Sequence, residues 1–427
     1  MTLDNAAEFL ALAESYDADF NPSLPRIVIE RGSGAILTDV NGHESIDMSD
    51  IIASVGHCHP RHVSALQQAA AQMIVGRGSE TNPSRAKLIQ QLVDLTPQNL
   101  DKVFLATSGS EIVEWAMRIA RRFSGKHEIL AFWGGVYGRT YGAMSMNGLV
   151  GRKRRFGPVM PGVIHAPYPY CYRCPFDKQP DSCDYYCITF LDRLLDAEST
   201  DDLAALIIEP YEGVGGIIFP PPGYLPRLQE WATERNVIFV LDEVQSSFGR
   251  TGKWFALEWE KLNPNMLCLG KGLGSGISIA ALVSESRLIA ALFPGELGGG
   301  NGGNPFACTS ALTVIDIIQQ EKLNEHAIQV GDYLLDRTRQ WQNRFPIIGD
   351  VRGRGLCLAM EFVRDRRTKE PVRGFSARVS EACYFKGVSL SGSDHILSLR
   401  PPLVITLEQA ERAANVIEET IREFAGY

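Results

Sequence analysis

Short apolar runs, each set off by polar or glycine-rich stretches, recur through the middle of the chain. Val103–Ala106, Ile129–Phe132, Leu206–Ile208, Val237–Leu241, Met266–Leu269 and Ile279–Val283 are rich in branched residues and too short for helices. They read as strands buried on both faces. Between them, Glu111–Arg122 and Tyr224–Arg235 place apolar residues at spacings of three and four, the signature of a helix with one buried stripe. Buried strands alternating with amphipathic helices predict a mostly parallel α/β sheet with helices on its faces, a large domain over residues 55–325.

The flanks have a different rhythm. Residues 25–48 hold strand-like pieces around Gly32, Gly34 and an Asn41-Gly42 turn, which predicts a hairpin. Toward the other end, Cys357–Val363 and Ile396–Leu399 read as strands and Leu407–Phe424 as an amphipathic helix. Residues 1–54 and 326–427 are therefore expected to combine into a smaller α+β domain. A chain of 427 residues exceeds what one core sustains, in keeping with two domains.

Composition removes several classes of function. A net charge of −8 disfavours non-specific binding to nucleic acid or anionic membranes. No apolar run is long enough to span a bilayer. The acidic, polar stretch Met1–Glu8 is unlike a signal peptide, and nine cysteines in a chain this long do not make a disulfide scaffold. The expectation is a cytoplasmic enzyme with reduced thiols.

Three segments carry chemistry. In Leu269-Gly-Lys-Gly-Leu-Gly-Ser-Gly276, one lysine follows directly on a buried strand inside a glycine-rich turn. Desolvation there lowers an amine's proton affinity and frees it to attack a carbonyl, though a phosphate-binding lysine or a plain loop has the same look. In Val237-Ile-Phe-Val-Leu-Asp-Glu-Val-Gln245, Asp242 ends an apolar strand, where an unpaired carboxylate is costly to bury. A protonated pyridine nitrogen would compensate it and would turn the ring into an electron sink. Gln245 follows, placed to donate to a ring hydroxyl; helix capping or Mg²⁺ binding are the plainer uses of such an Asp. Finally, Ser108, Gly109 and Ser110 stand between a strand and a helix, where backbone N–H groups and the helix dipole make an anion cradle. Ser108 and Glu111 also have the spacing of a capping box, and the two roles are compatible.

These three segments, in this order on the strand ends of one sheet, resemble the class III aminotransferases of pyridoxal-phosphate fold type I, a group that includes 4-aminobutyrate and ornithine aminotransferases. The resemblance runs through Pro25 to Asp47, Gly56-His-Cys-His-Pro60, Ile208-Glu-Pro-Tyr-Glu-Gly-Val-Gly-Gly216, Gly302-Gly-Asn-Pro305, Val351-Arg-Gly-Arg-Gly-Leu356 and Pro401-Pro-Leu403, nearly the whole chain. It implies pyridoxal 5'-phosphate as cofactor and Lys271 as the residue that binds it as a Schiff base and shuttles the substrate's α-proton. Asp242 would pair with the ring nitrogen, Gln245 with the ring oxygen, and Gly109 and Ser110 with the phosphate. Glu209 would lie beside the substrate. The resemblance also implies a homodimer with active sites shared between subunits, and small-molecule partners: an amino donor such as glutamate and a carbonyl acceptor.

The chain departs from that family at the pocket. An aromatic residue usually stacks on the cofactor ring; here the stretch is Gly135-Val-Tyr-Gly138, so either Tyr137 shifts to stack or the ring packs on Val136. A threonine usually precedes Phe-Gly-Gly-Asn-Pro and reaches the partner's phosphate; Gly300 and Asn301 stand here, and either Asn301 or backbone N–H groups would substitute. An arginine that grips an α-carboxylate often lies three residues before Pro-Pro-Leu; that position is Ser398, with Arg400 two residues later on the same strand face. The altered clamp points to an acceptor other than an ordinary α-keto acid, such as an ω-aldehyde or an oxidised amino sugar.

Rival readings share the same machinery. An amino-acid racemase or epimerase, or a dialkylglycine-type decarboxylase, would use Lys271 and Asp242 and differ only in which bond to Cα breaks. A non-catalytic binding protein on the same fold would have no need for the lysine. Cys171, Cys174, Cys183 and Cys187 form the one metal-like pattern, open to tetrahedral zinc. Related family members carry a similar loop, which favours a surface or interface loop rather than a catalytic metal.

Overall fold

The computed structural model describes residues 3–19, 27–76 and 81–426. The chain divides into two compact units, one of residues 61–325 and the other of residues 1–60 with 326–427.

The larger unit is built on seven strands, in the order Lys102–Ala106, Ala280–Ser284, Met266–Leu269, Ile238–Asp242, Leu203–Ile208, Glu128–Phe132 and Val163–Ala166. Every neighbouring pair is parallel except those made by Ala280–Ser284, which runs antiparallel to both its neighbours. All six strands expected from the apolar runs are present. The seventh, Val163–Ala166, is an edge strand in which buried residues alternate with half-buried ones, so no continuous apolar run announces it. The helix Gly109–Ser124 buries Ile112, Val113, Ala116, Ile119 and Ala120 on one stripe. It ends at Gly125, whose φ of +70° only glycine adopts cheaply. The helix Tyr224–Glu234 buries Leu225, Leu228, Trp231 and Ala232 in the same way.

In the smaller unit, Ile36–Asp39 and Glu44–Asp47 pair antiparallel about the Asn41-Gly42 turn, with Gly42 at φ +83°. Val388–Ser389, from the far end of the chain, pairs in parallel with Glu44–Asp47 and joins both termini in one sheet. A second sheet contains Ile348–Arg354, Cys357–Phe362, Ile396–Leu399 and Ser391–Ser393. The stretch up to Pro60 stays with this unit because Gly34 and His57 exchange backbone hydrogen bonds at 2.8 Å in both directions. Among the described residues, no helix is long and apolar enough to cross a membrane.

Candidate active site

Strand ends place the chemistry. Asp242 is the last residue of the central strand Ile238–Asp242 and is buried. Its Oδ1 accepts a 3.0 Å hydrogen bond from Val244 N. Burial pushes its carboxyl up to about 6, offset in part by that N–H and by the nearby charge of Lys271. The next strand, Met266–Leu269, pairs in parallel with it, Cys268 opposite Asp242, and leads through Gly270 into Lys271. Lys271 is half-buried and holds φ +42°, a left-handed conformation that a non-glycine residue adopts only where its surroundings impose it.

Val244 draws the three segments together. Its Cγ1 is 2.9 Å from where a β-carbon on Gly109 would stand and 3.3 Å from the same point on Gly270. A side chain at position 109 would push the helix N-terminus away from the strand end, so the glycine permits the close approach. Gly109 and Ser110 belong to the first turn of the helix, whose N–H groups have no intrahelical acceptor. Ser110 Oγ accepts from Arg139 N at 3.0 Å, which leaves its own proton to donate elsewhere. Ser108 caps the helix, accepting from Glu111 N at 3.3 Å. Glu111 does not complete a capping box. Its carboxylate instead accepts from Thr107 N at 3.0 Å and Thr107 Oγ1 at 2.9 Å.

Gln245 is buried, and neither its Oε1 nor its Nε2 has a hydrogen-bond partner among the described residues. Leaving an amide in that state costs roughly 1–3 kcal/mol per group, so the position calls for a polar partner from outside the chain. Glu209, one residue past the strand Leu203–Ile208, is buried and accepts from Val136 N at 2.8 Å and Gly213 N at 3.0 Å. Burial, with the negative charge of Asp242 close by, pushes its carboxyl up to about 7.

Of the two residues offered for stacking, Tyr137 is the more enclosed. Its ring lies in the core and its hydroxyl donates to Ile207 O at 3.1 Å, while its N–H donates to Asn147 Oδ1 at 2.7 Å. Tyr137 is 2% exposed, whereas its neighbour Val136 is half-buried. Asn301 is exposed, in a turn tucked against the strand Lys102–Ala106: a β-carbon on Gly302 would stand 2.3 Å from Leu105 O. Arg400 belongs to the smaller unit, one residue past Ile396–Leu399, on the half-buried side that includes Ile396 and Ser398. Its N–H donates to Met48 O at 2.7 Å, and its buried Nε has no partner among the described residues.

Two participants were not singled out from sequence. Gly213 leaves room for Gln245, and Glu243 braces the loop behind the site. The fully buried Glu243 carboxylate accepts from Ser246 Oγ, Ala256 N and Leu257 N, each at 2.7 Å, and burial pushes it up to about 7.

The donor set fits a planar, phosphorylated, ring-protonated ligand. A buried carboxylate awaits a cation, an unpartnered amide awaits a polar ring substituent, and open N–H groups at a helix end await an anion.

The comparisons agree with that chemistry. The family description Aminotransferase class-III matches residues 18–421. A probable 4-aminobutyrate aminotransferase of Bacillus subtilis is 33% identical over 407 residues, 93% of either chain. An alanine/serine racemase of Pyrococcus horikoshii is 31% identical over 416 residues, 93% of this chain and 86% of the relative. Among solved structures, an amine transaminase from an uncultivated Pseudomonas species, in its PLP-bound (internal aldimine) form, matches with a TM-score of 0.90 at 28% identity. The match spans 96% of this chain and 98% of that one. The chain belongs to the class-III aminotransferase family. It is a transaminase, and its cofactor is pyridoxal 5'-phosphate.

Proposed function

We propose that this enzyme takes an amino group from an amino-acid donor such as glutamate and delivers it to a carbonyl acceptor other than an ordinary α-keto acid, an ω-aldehyde or an oxidised amino sugar. The observation that carries the site assignment is the buried, unpartnered amide of Gln245 three residues beyond the buried carboxylate of Asp242. Ser398, in place of the family's carboxylate-gripping arginine, carries the choice of acceptor.

When bound, pyridoxal phosphate supplies a carbonyl that condenses with amines and a protonated ring that draws electron density from Cα. The chain does the rest. Lys271 Nζ would hold the cofactor, then take the proton from the substrate's Cα and later return it. Asp242 would keep the proton on the ring nitrogen, and the Gln245 amide would donate to the ring oxygen. Ser108, Gly109 and Ser110 would bind the phosphate through the helix N-terminus. Val136 would pack on the ring face, and Glu209 would orient the substrate. Arg400, with its unpartnered Nε, is the candidate for the donor's carboxylate. We read the enzyme as a homodimer in which Asn301 reaches the phosphate held by the partner subunit.

Incubation with glutamate and a panel of ω-aldehydes and oxidised amino sugars tests the assignment. Production of 2-oxoglutarate that depends on one of these acceptors supports it. Exchange of the α-hydrogen with inversion at Cα and no keto acid would make the chain a racemase, as one relative is named. Release of CO₂ would make it a decarboxylase.

A further inference from the structure

Four of the nine cysteines fall within one short stretch of the larger unit, at positions 171, 174, 183 and 187, and the transamination chemistry uses none of them. All four are free and half-buried, and all line one cavity of about 230 Å³. We propose that Cys171, Cys174, Cys183 and Cys187 form a tetrathiolate site for a structural zinc ion.

Local structure supports both halves of the site. Cys171–Arg173 is a single 3₁₀ turn, and residues three apart on such a turn eclipse, which puts Cys171 and Cys174 on the same side. Cys187 lies in the first turn of the helix Tyr186–Glu198, which fixes its place in the chain close after Cys183. Cys183 is set back from it by Asp184 and Tyr185, both left-handed, at φ +41° and +50°. Tyr is poorly suited to that conformation, and the surroundings hold it there. The Tyr185 hydroxyl donates to Pro222 O, Arg227 lies 4.4 Å over its ring, and Arg227 Nη1 donates to Asp184 Oδ1 at 2.9 Å. The reversal returns Cys183 and Cys187 to the cavity that Cys171 and Cys174 face.

The sulfurs ring this cavity rather than meeting at a point. Cys171 Sγ lies 3.9 Å from Pro169 O, and Cys183 Sγ 3.6 Å from Pro180 O. Rotation between χ1 rotamers moves a cysteine sulfur by about 3 Å without moving the backbone, enough to exchange such weak contacts for metal bonds. Among the described residues, the one group of three or more metal-type donor atoms within 4.8 Å of one another is Asp47, Asp50 and His57. That group is satisfied internally: Asp47 Oδ2 pairs with His57 Nε2 at 2.8 Å, and its Oδ1 accepts from Ser49 N and Asp50 N.

The test is the metal content of the full-length, cofactor-loaded enzyme, purified without chelators and dialysed against micromolar zinc. The expected result is about one tightly held zinc per chain, lost in Cys171→Ser and Cys187→Ser and retained in Cys58→Ser, whose cysteine is exposed and lies outside the four-cysteine stretch. Cobalt in place of zinc should give the thiolate charge-transfer and tetrahedral d–d absorption of a sulfur-ligated ion. The parent enzyme decides the matter even where a variant fails to fold. Less than about a tenth of a zinc per chain in active protein overturns the proposal, and so does iron with acid-labile sulfide in its place.

Discussion

Gly213 lies so close to Gln245 that a β-carbon on the glycine would fall 1.2 Å from Oε1 of the glutamine. The obstructing atom is the end of a flexible side chain, so Gly213→Ala should move the amide and spare the fold. We predict cofactor binding about tenfold weaker, the value of one lost hydrogen bond in a buried site, with little change in melting temperature. Titration of cofactor-free protein with pyridoxal phosphate measures it. An unchanged affinity would detach Gln245 from the cofactor.

Asp242→Asn should separate stability from activity. Burial raises the folded carboxyl from its usual 3.8 to about 6, so the folded state holds this proton more tightly than the unfolded state. The stability it contributes is present below about pH 4 and is lost as pH rises through 6. Glu209 and Glu243, both pushed up to about 7, act with the same sign. Cofactor-free enzyme should therefore weaken steadily between about pH 4 and 7. Asn keeps an acceptor for Val244 N without the buried charge, so the cofactor-free variant should be up to about 3 kcal/mol more stable than the parent at pH 8. Its turnover should fall at least a hundredfold, roughly the lower end of a lost acid–base contribution. Melting curves across pH, read beside kcat, check both halves.

The Glu243 carboxylate satisfies three donors from Ser246, Ala256 and Leu257. Glu243→Ala strands two backbone N–H groups in the core and should destabilise the larger unit by about 3 kcal/mol or more. Denaturant unfolding of cofactor-free protein measures this, and a change below 1 kcal/mol would count against the bracing role.

Arg400→Gln should raise KM for carboxylate-bearing donors by at least about tenfold and leave simple amines unaffected. Equal losses for both donor classes would mean that Arg400 does not read a carboxylate.

Legibility in the sequence followed burial. Strands buried on both faces, such as Ile238–Asp242 and Met266–Leu269, appear as unbroken apolar runs, and with them came the positions of Asp242 and Lys271. The antiparallel strand Ala280–Ser284 is equally buried, so its composition holds no sign of its direction. The edge strand Val163–Ala166 is half-buried at alternate positions and escaped notice. The choice between Val136 and Tyr137 depends on one residue of backbone register, set by hydrogen bonds from Val136 N to Glu209 and from Tyr137 N to Asn147. Neither bond involves a side chain at 136 or 137, so residue type could not announce it. Glu243 was hidden for a similar reason, two of its three donors being main-chain groups 13 and 14 residues away.

The central claim is that Lys271 binds the cofactor covalently in an enzyme that transfers amino groups. The most direct measurement is the absorption spectrum of the purified protein, and of Lys271→Ala, before and after glutamate is added. The account predicts a visible band from lysine-bound pyridoxal phosphate that converts to the pyridoxamine form with the donor, and no such lysine-bound band in the variant. A parent protein that shows no band even after addition of pyridoxal phosphate, or a Lys271→Ala variant that still turns over, would contradict it.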